Sequence, residues 1–115
     1  MDNGNKAMVH VLGEVYTIKV IDPATDVKLN GRRDGYTDTS IKECVVDNML
    51  EHDPDNKSNM EEYKKSVIRH ELIHAFLYES GLDAASGWAM NEEMVDWIAL
   101  QFPKLMKAFK EADAL

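Results

Sequence analysis

The stretch His70-Glu71-Leu72-Ile73-His74 holds three residue types that do hydrolytic chemistry together. Two imidazoles four residues apart on an α-helix lie about 40° apart around its axis, so both can reach one metal ion. Glu71 falls on the same side, about 60° from His74. A carboxylate there is placed to hold and deprotonate a water rather than to bind the metal. The pattern points to hydrolysis assisted by Zn²⁺. Its setting agrees. From Val67 to Tyr78 the sequence is apolar nearly all round a helix, with Arg69, His70, Glu71 and His74 as the polar exceptions. A helix of that kind is buried. A buried carboxylate and two buried imidazoles need a partner, which a bound metal supplies.

A catalytic zinc takes three protein ligands and leaves a fourth position open. The remaining histidines are His10 and His52, and the extended metzincin spacing fails, with Leu77 in place of Gly and Ser80 in place of His. The better third ligand lies in Asn91-Glu92-Glu93-Met94-Val95-Asp96. Glu92 and Asp96 share one helix face. Glu92 can bind zinc while Asp96 accepts the far N–H of a ligand imidazole and so sets its tautomer. Glu93 is the weaker candidate, because it has no carboxylate four residues on. Both glutamates would also complement the dipole of a helix start.

HELIH on one helix, followed by Asn-Glu-x-x-x-Asp on the next, resembles the gluzincin zinc metallopeptidases. The run Glu92-x-x-Val95-Asp96-x-Ile98-Ala99 is similar to the second motif of small ImmA/IrrE-type peptidases of phages and mobile elements. Arg69–Leu82 (RHELIHAFLYESGL) also looks like small phage-encoded proteins. The resemblance covers about residues 60–103. It implies His70, His74 and Glu92 as zinc ligands, Glu71 as general base and acid, and Asp96 as the support of a ligand ring. Ile73 departs from the Gly of many ImmA/IrrE-like members. The resemblance also implies an edge strand that pairs with extended substrate. Ile41–Asp47, with Ile41, Glu43 and Val45, is the expected strand, an ordinary core strand being the alternative. Strand addition of that kind recognises a peptide through its backbone. Tyr78, one turn beyond His74, and Tyr36, in the loop ahead of that strand, are candidate stabilisers of the oxyanion; packing is the alternative for both.

The expected activity is peptide-bond hydrolysis with a narrow intracellular substrate range. A peptide or protein is the expected partner. Three rivals compete with it. Cys44 upstream of HELIH suggests a deformylase-type ligand set, but the Gly-rich signature of those enzymes is absent and Val45-Val46 make Cys44 look buried. A zinc-stabilised interaction module, or a latent peptidase, is the non-catalytic alternative. The intact Glu71 argues against it. Lys64, Lys65 and Arg69 form a small basic cluster, which reads as a solvated face rather than a nucleic-acid surface.

The elements that must carry these residues follow from the rest of the chain. Its 115 residues suit one domain, here taken as residues 1–115. With 21 acids against 13 bases, the net charge of −8 argues against nucleic acid as the main partner. One cysteine excludes an intrachain disulfide. The polar start, Met1 to Lys6, does not read as a signal peptide. No apolar run is long enough to span a membrane, and a cytoplasmic location is the default. Residues 8–21 read as a strand pair around Gly13-Glu14. Residues 22–40 read as loop, Ile41–Asp47 as strand, and Glu51–Asn59 as a second loop. A long helix over about 59–80 is expected, with Ser58-x-x-Glu61 as capping box and Gly81 as stop. A second helix runs from about Asn91 to Phe102, with Pro103 kinking it or opening a last helix to Leu115. The expectation is α+β: a small antiparallel sheet on a zincin-like helix pair, plus a C-terminal helix.

Overall fold

A computed structural model of the chain describes residues 6–50 and 59–115. The fold is α+β. Four strands, β1 (Lys6–Val11), β2 (Glu14–Ile21), β3 (Gly35–Asp38) and β4 (Glu43–Asp47), form one sheet in the order β1-β2-β4-β3. Three helices follow: α1 (Met60–Glu79), the short α2 (Leu82–Ala85) and α3 (Glu92–Glu111). Among the described residues no helix is long and apolar enough to cross a membrane.

Alternation drives the first hairpin. Tyr16, Ile18 and Val20 of β2 are buried while their neighbours are more exposed, the period-two pattern of a strand with one covered face. The turn falls on Leu12 and Gly13, both with positive φ, as a two-residue hairpin loop requires. Val11, Tyr16, Ile18 and Cys44 then form a core with Ala75 of α1. A second core joins Val20, Val46 and Met49 to Val67 of the same helix. The His-bearing helix is thus clamped along the sheet by its apolar side.

The sheet is mixed rather than antiparallel. β1 with β2 and β3 with β4 are antiparallel, but β2 and β4 run parallel. The connection between β2 and β4 is long enough to carry β4 back alongside β2 in the same direction, and β3 is part of that connection. Gly35–Asp38 lies within the stretch expected to be loop. Its Asp, Gly and Thr content hides a strand whose partner is supplied by the sheet, a case of tertiary context overriding propensity.

α1 begins at Asn59, whose side chain accepts the backbone N–H of Glu62 at 3.2 Å. The expected cap, Ser58, lies outside the described residues, as do residues 1–5 and nearly all of the 51–59 loop. Gly81 ends the region as anticipated, in the left-handed conformation with φ 85°. α3 opens on Asn91, which accepts from Met94 N–H at 2.8 Å. It then runs unbroken through Pro103 to Glu111, so no separate C-terminal helix exists. Proline removes the N–H that would bond the carbonyl four residues back, at Ala99. Arg69 of α1 replaces it: its Nε donates to the Ala99 carbonyl at 2.6 Å. One contact therefore satisfies the orphaned acceptor and ties α3 to α1.

Candidate metal centre

α1 turns His70 and His74 to the same side, and α3 brings Glu92 against them from its first turn. The Nε2 atoms of the two rings are 3.1 Å apart. Glu92 Oε1 lies 2.7 Å from Nε2 of His74 and 3.2 Å from Nε2 of His70. Among the described residues these three side chains are the group able to hold a metal. Their spacing suits it: ligand atoms about 2.0–2.2 Å from a tetrahedral ion stand roughly 3.3 Å from one another.

The proton count supports the same fit. His70 Nδ1 lies 2.7 Å from Asp96 Oδ1. That contact places the ring proton on Nδ1 and leaves Nε2 as a lone pair facing the cluster. Glu92 can only accept. In neutral imidazoles, at most one proton, on His74 Nε2, remains for three converging acceptor atoms. A divalent cation satisfies all three. Zinc suits two imidazoles and a carboxylate, and a three-ligand set leaves a position open.

Glu71 lines the same cleft but lies outside the converging group. Among the described residues it is one of two buried polar ones, at 6% exposure. The Thr37 hydroxyl lies 2.8 Å from Glu71 Oε1 and 2.9 Å from the Glu71 carbonyl oxygen. Burial pushes the Glu71 carboxyl above the ordinary carboxylate range, while Thr37 and the two imidazoles pull it back. β3 delivers Thr37 to this spot, and Gly35 permits the approach. A Cβ on Gly35 would stand 2.9 Å from Val67 Cγ1, 3.1 Å from the Val45 carbonyl oxygen and 3.3 Å from Glu71 Cγ.

A cleft of about 550 Å³ opens over the cluster, lined by His70, Glu71, His74 and Glu92 and also by Tyr36, Thr37, Arg32 and Arg33. A second hollow of about 340 Å³ is lined by His70 and Asp96 together with Tyr63 and Leu100.

The expected substrate strand needs correcting. Glu43 and Val45 belong to β4, which is paired on both sides, with β2 and β3. Ile41 sits in the turn before it and is exposed. The edge beside the cluster is β3. Asp47 N–H bonds the Asp34 carbonyl at 2.9 Å. From that pair, antiparallel alternation turns the N–H and C=O groups of Gly35 and Thr37 away from β4, toward the open edge.

The tyrosines separate. Tyr36 donates its hydroxyl to Asp26 Oδ2 at 2.6 Å. Burial and that bond push its pKa up to about 12. Its hydroxyl is thus committed away from the cluster. Tyr78 lines the cleft and is exposed. Glu93 is in the first turn of α3 and outside the converging group. Cys44 is fully buried in the sheet core, with its thiol pushed up to about 11 by burial, and is not among the cluster's ligands. In the basic cluster, Lys64 pairs with Glu61 at 2.9 Å and Lys65 with Glu62 at 3.7 Å.

Thr37 as the partner of Glu71, Gly35 as the close approach, Arg32, Arg33 and the Arg69 tie are not legible in the sequence, where the stretch 34–38 reads as a rim of the site or a turn. Alternating Gly35-x-Thr37 before a β-rich segment was the available signal for the first two; Arg69 sat in plain view but its acceptor is thirty residues away. No protein-family model, curated protein or solved structure matches the chain.

Proposed function

We propose that this chain is a minimal zinc-dependent metallopeptidase of gluzincin type. The observation that carries the reading is the convergence of His70, His74 and Glu92 beside a buried Glu71, under the open edge of β3. His70, His74 and Glu92 would hold the ion, and Asp96 orients the His70 ring. When bound, zinc lowers the pKa of water toward neutrality and polarises a carbonyl oxygen.

The chain's own residues account for the remaining steps. An extended peptide adds to the edge of β3, bonded by the outward N–H and C=O groups of Gly35 and Thr37. Glu71 takes the proton of the attacking water and returns it to the leaving amine. Its burial favours the first of these transfers, since a carboxylate whose pKa is raised is a stronger base and takes the proton of water more readily than an ordinary carboxylate would. Thr37 holds the carboxylate in place. Tyr78, exposed in the cleft, is the available donor to the oxyanion. A single buried thiol and no disulfide are consistent with action in a reducing compartment such as the cytoplasm.

The test is a peptide library incubated with zinc-loaded wild type and with Glu71→Gln. Cleavage by the wild type alone, with about one zinc retained in both proteins, is the expected result. Retained zinc with no cleavage by wild type overturns the peptidase reading in favour of a metal-stabilised binding module.

A further inference from the structure

Two guanidinium groups line the cleft without an acidic partner among the described residues. Arg32 and Arg33 close the segment that precedes β3, and both are exposed. Neighbouring cations are engaged: Lys28 with Asp38 at 3.6 Å, Lys42 with Glu79 at 3.1 Å, and Lys19 with Glu43 at 3.3 Å. Among the described residues neither Arg32 nor Arg33 makes an ion pair or a side-chain hydrogen bond. Asp83 and Glu92 line the same cleft, yet neither is paired with them. In a chain with 21 acids and 13 bases, these adjacent arginines, unpaired among the described residues, put two positive charges into a cleft that Glu71, Asp83 and Glu92 also line.

Their position relative to the edge strand sets what they can touch. Arg33 precedes Gly35 by two residues and Thr37 by four. Extended chain spans at most about 3.6 Å per residue, so Arg33 stands within about 14 Å of the residue that holds Glu71. A peptide lying along β3 passes the two arginines at the end where the strand begins. Guanidinium groups bind carboxylates through paired N–H donors.

We propose that Arg32 and Arg33 form a subsite for an acidic side chain, so that the preferred ligand is an extended peptide with Asp or Glu within about four residues of the bond above Glu71. That a bond is cleaved there rests on the peptidase reading; the acid-selective contact does not.

The test uses fluorescein-labelled octapeptides that differ only by Glu or Gln at one position, scanned along the peptide. Each is titrated by fluorescence anisotropy against zinc-loaded Glu71→Gln protein, with and without the added pair Arg32→Gln and Arg33→Gln. At the favoured position the Glu peptide is expected to bind about fivefold tighter than its Gln twin. That advantage should vanish when both arginines are replaced. Equal affinity of the twins, no binding of either, or a preference that survives the double replacement overturns the subsite. Incubating the same peptides with wild type separates the two readings. Cleavage with no acidic preference sinks the subsite alone, and acid-selective binding without cleavage sinks the peptidase reading alone.

Discussion

The Thr37 hydroxyl lies 2.8 Å from a carboxylate oxygen of Glu71, across 34 residues of sequence. The same residue presents its backbone N–H and C=O to the open edge of the sheet. The strand on which a peptide would dock is therefore the strand that holds the proposed base. Replacing Thr37 by Val keeps the β-branched shape and removes the hydroxyl. The expected outcome is an unchanged zinc content and a kcat reduced by about tenfold with little change in KM. Thr37→Ser should restore most of the rate, because it restores the hydroxyl. A full rate in the Val variant would show that the bond does not position Glu71.

Asp96 bonds the far nitrogen of His70 at 2.7 Å while its side chain remains 66% exposed. In the proposed metal site this contact would keep the ring proton on Nδ1. Asp96→Asn keeps the shape but gives up the charge that holds that proton in place. Zinc affinity should fall by about 10- to 100-fold, with the fold intact. Competition against a chromophoric chelator measures it. Glu92→Ala, which removes a ligand oxygen, should lose more affinity than Asp96→Asn; the reverse order would contradict the roles assigned here.

How much of this could be read from the chain alone depended on the range of each interaction. His70, Glu71 and His74 are local to one helix, and helical spacing places them without any knowledge of the fold. Glu92 and Asp96 were legible because a second four-residue spacing repeats the logic. The α+β class followed from strands preceding helices. Strand order did not. β4 precedes the His helix and carries the strong β-formers, so it looked like the strand beside the site. The sheet placed it in the interior and gave the edge to Gly35–Asp38, whose polar residues look like turn. Thr37 and Arg69 were hidden for the same reason: each acts on an atom about thirty residues away, and no periodicity records such a pairing.

Arg69 and Pro103 meet at one carbonyl. Arg69 Nε donates to the Ala99 oxygen at 2.6 Å, where the helical N–H is missing because residue 103 is proline. Arg69→Leu leaves the acceptor of buried Ala99 unsatisfied, at a cost of about 1–3 kcal/mol in urea unfolding. Pro103→Ala supplies a backbone N–H to the same oxygen. In the Arg69→Leu background it should recover part of the loss beyond its effect in wild type, and the double-mutant cycle isolates that coupling. Additive effects would mean that the arginine and the missing N–H do not share the acceptor.

Glu79 gives the fold an acid limit that is separable from the metal. The Tyr16 hydroxyl donates to it at 2.7 Å and Lys42 Nζ lies 3.1 Å away. These two partners, Tyr16 first, hold the Glu79 carboxyl below its ordinary 4.5. A carboxyl lowered in the folded state contributes stability above its unfolded pKa and loses it as the pH falls through the folded one. Wild type should therefore weaken as the pH drops below 4.5. Tyr16→Phe removes the leading cause, so the carboxyl returns toward its ordinary value and this part of the pH dependence shrinks. Urea midpoints at neutral pH and at about pH 3 measure it. A chelator in every sample keeps any metal held by His70 and His74 from contributing through its release. The stability gap between wild type and Tyr16→Phe is expected to be wider at neutral pH than in acid. A gap independent of pH would assign the contribution of Tyr16 to packing, with no part carried by its bond to Glu79.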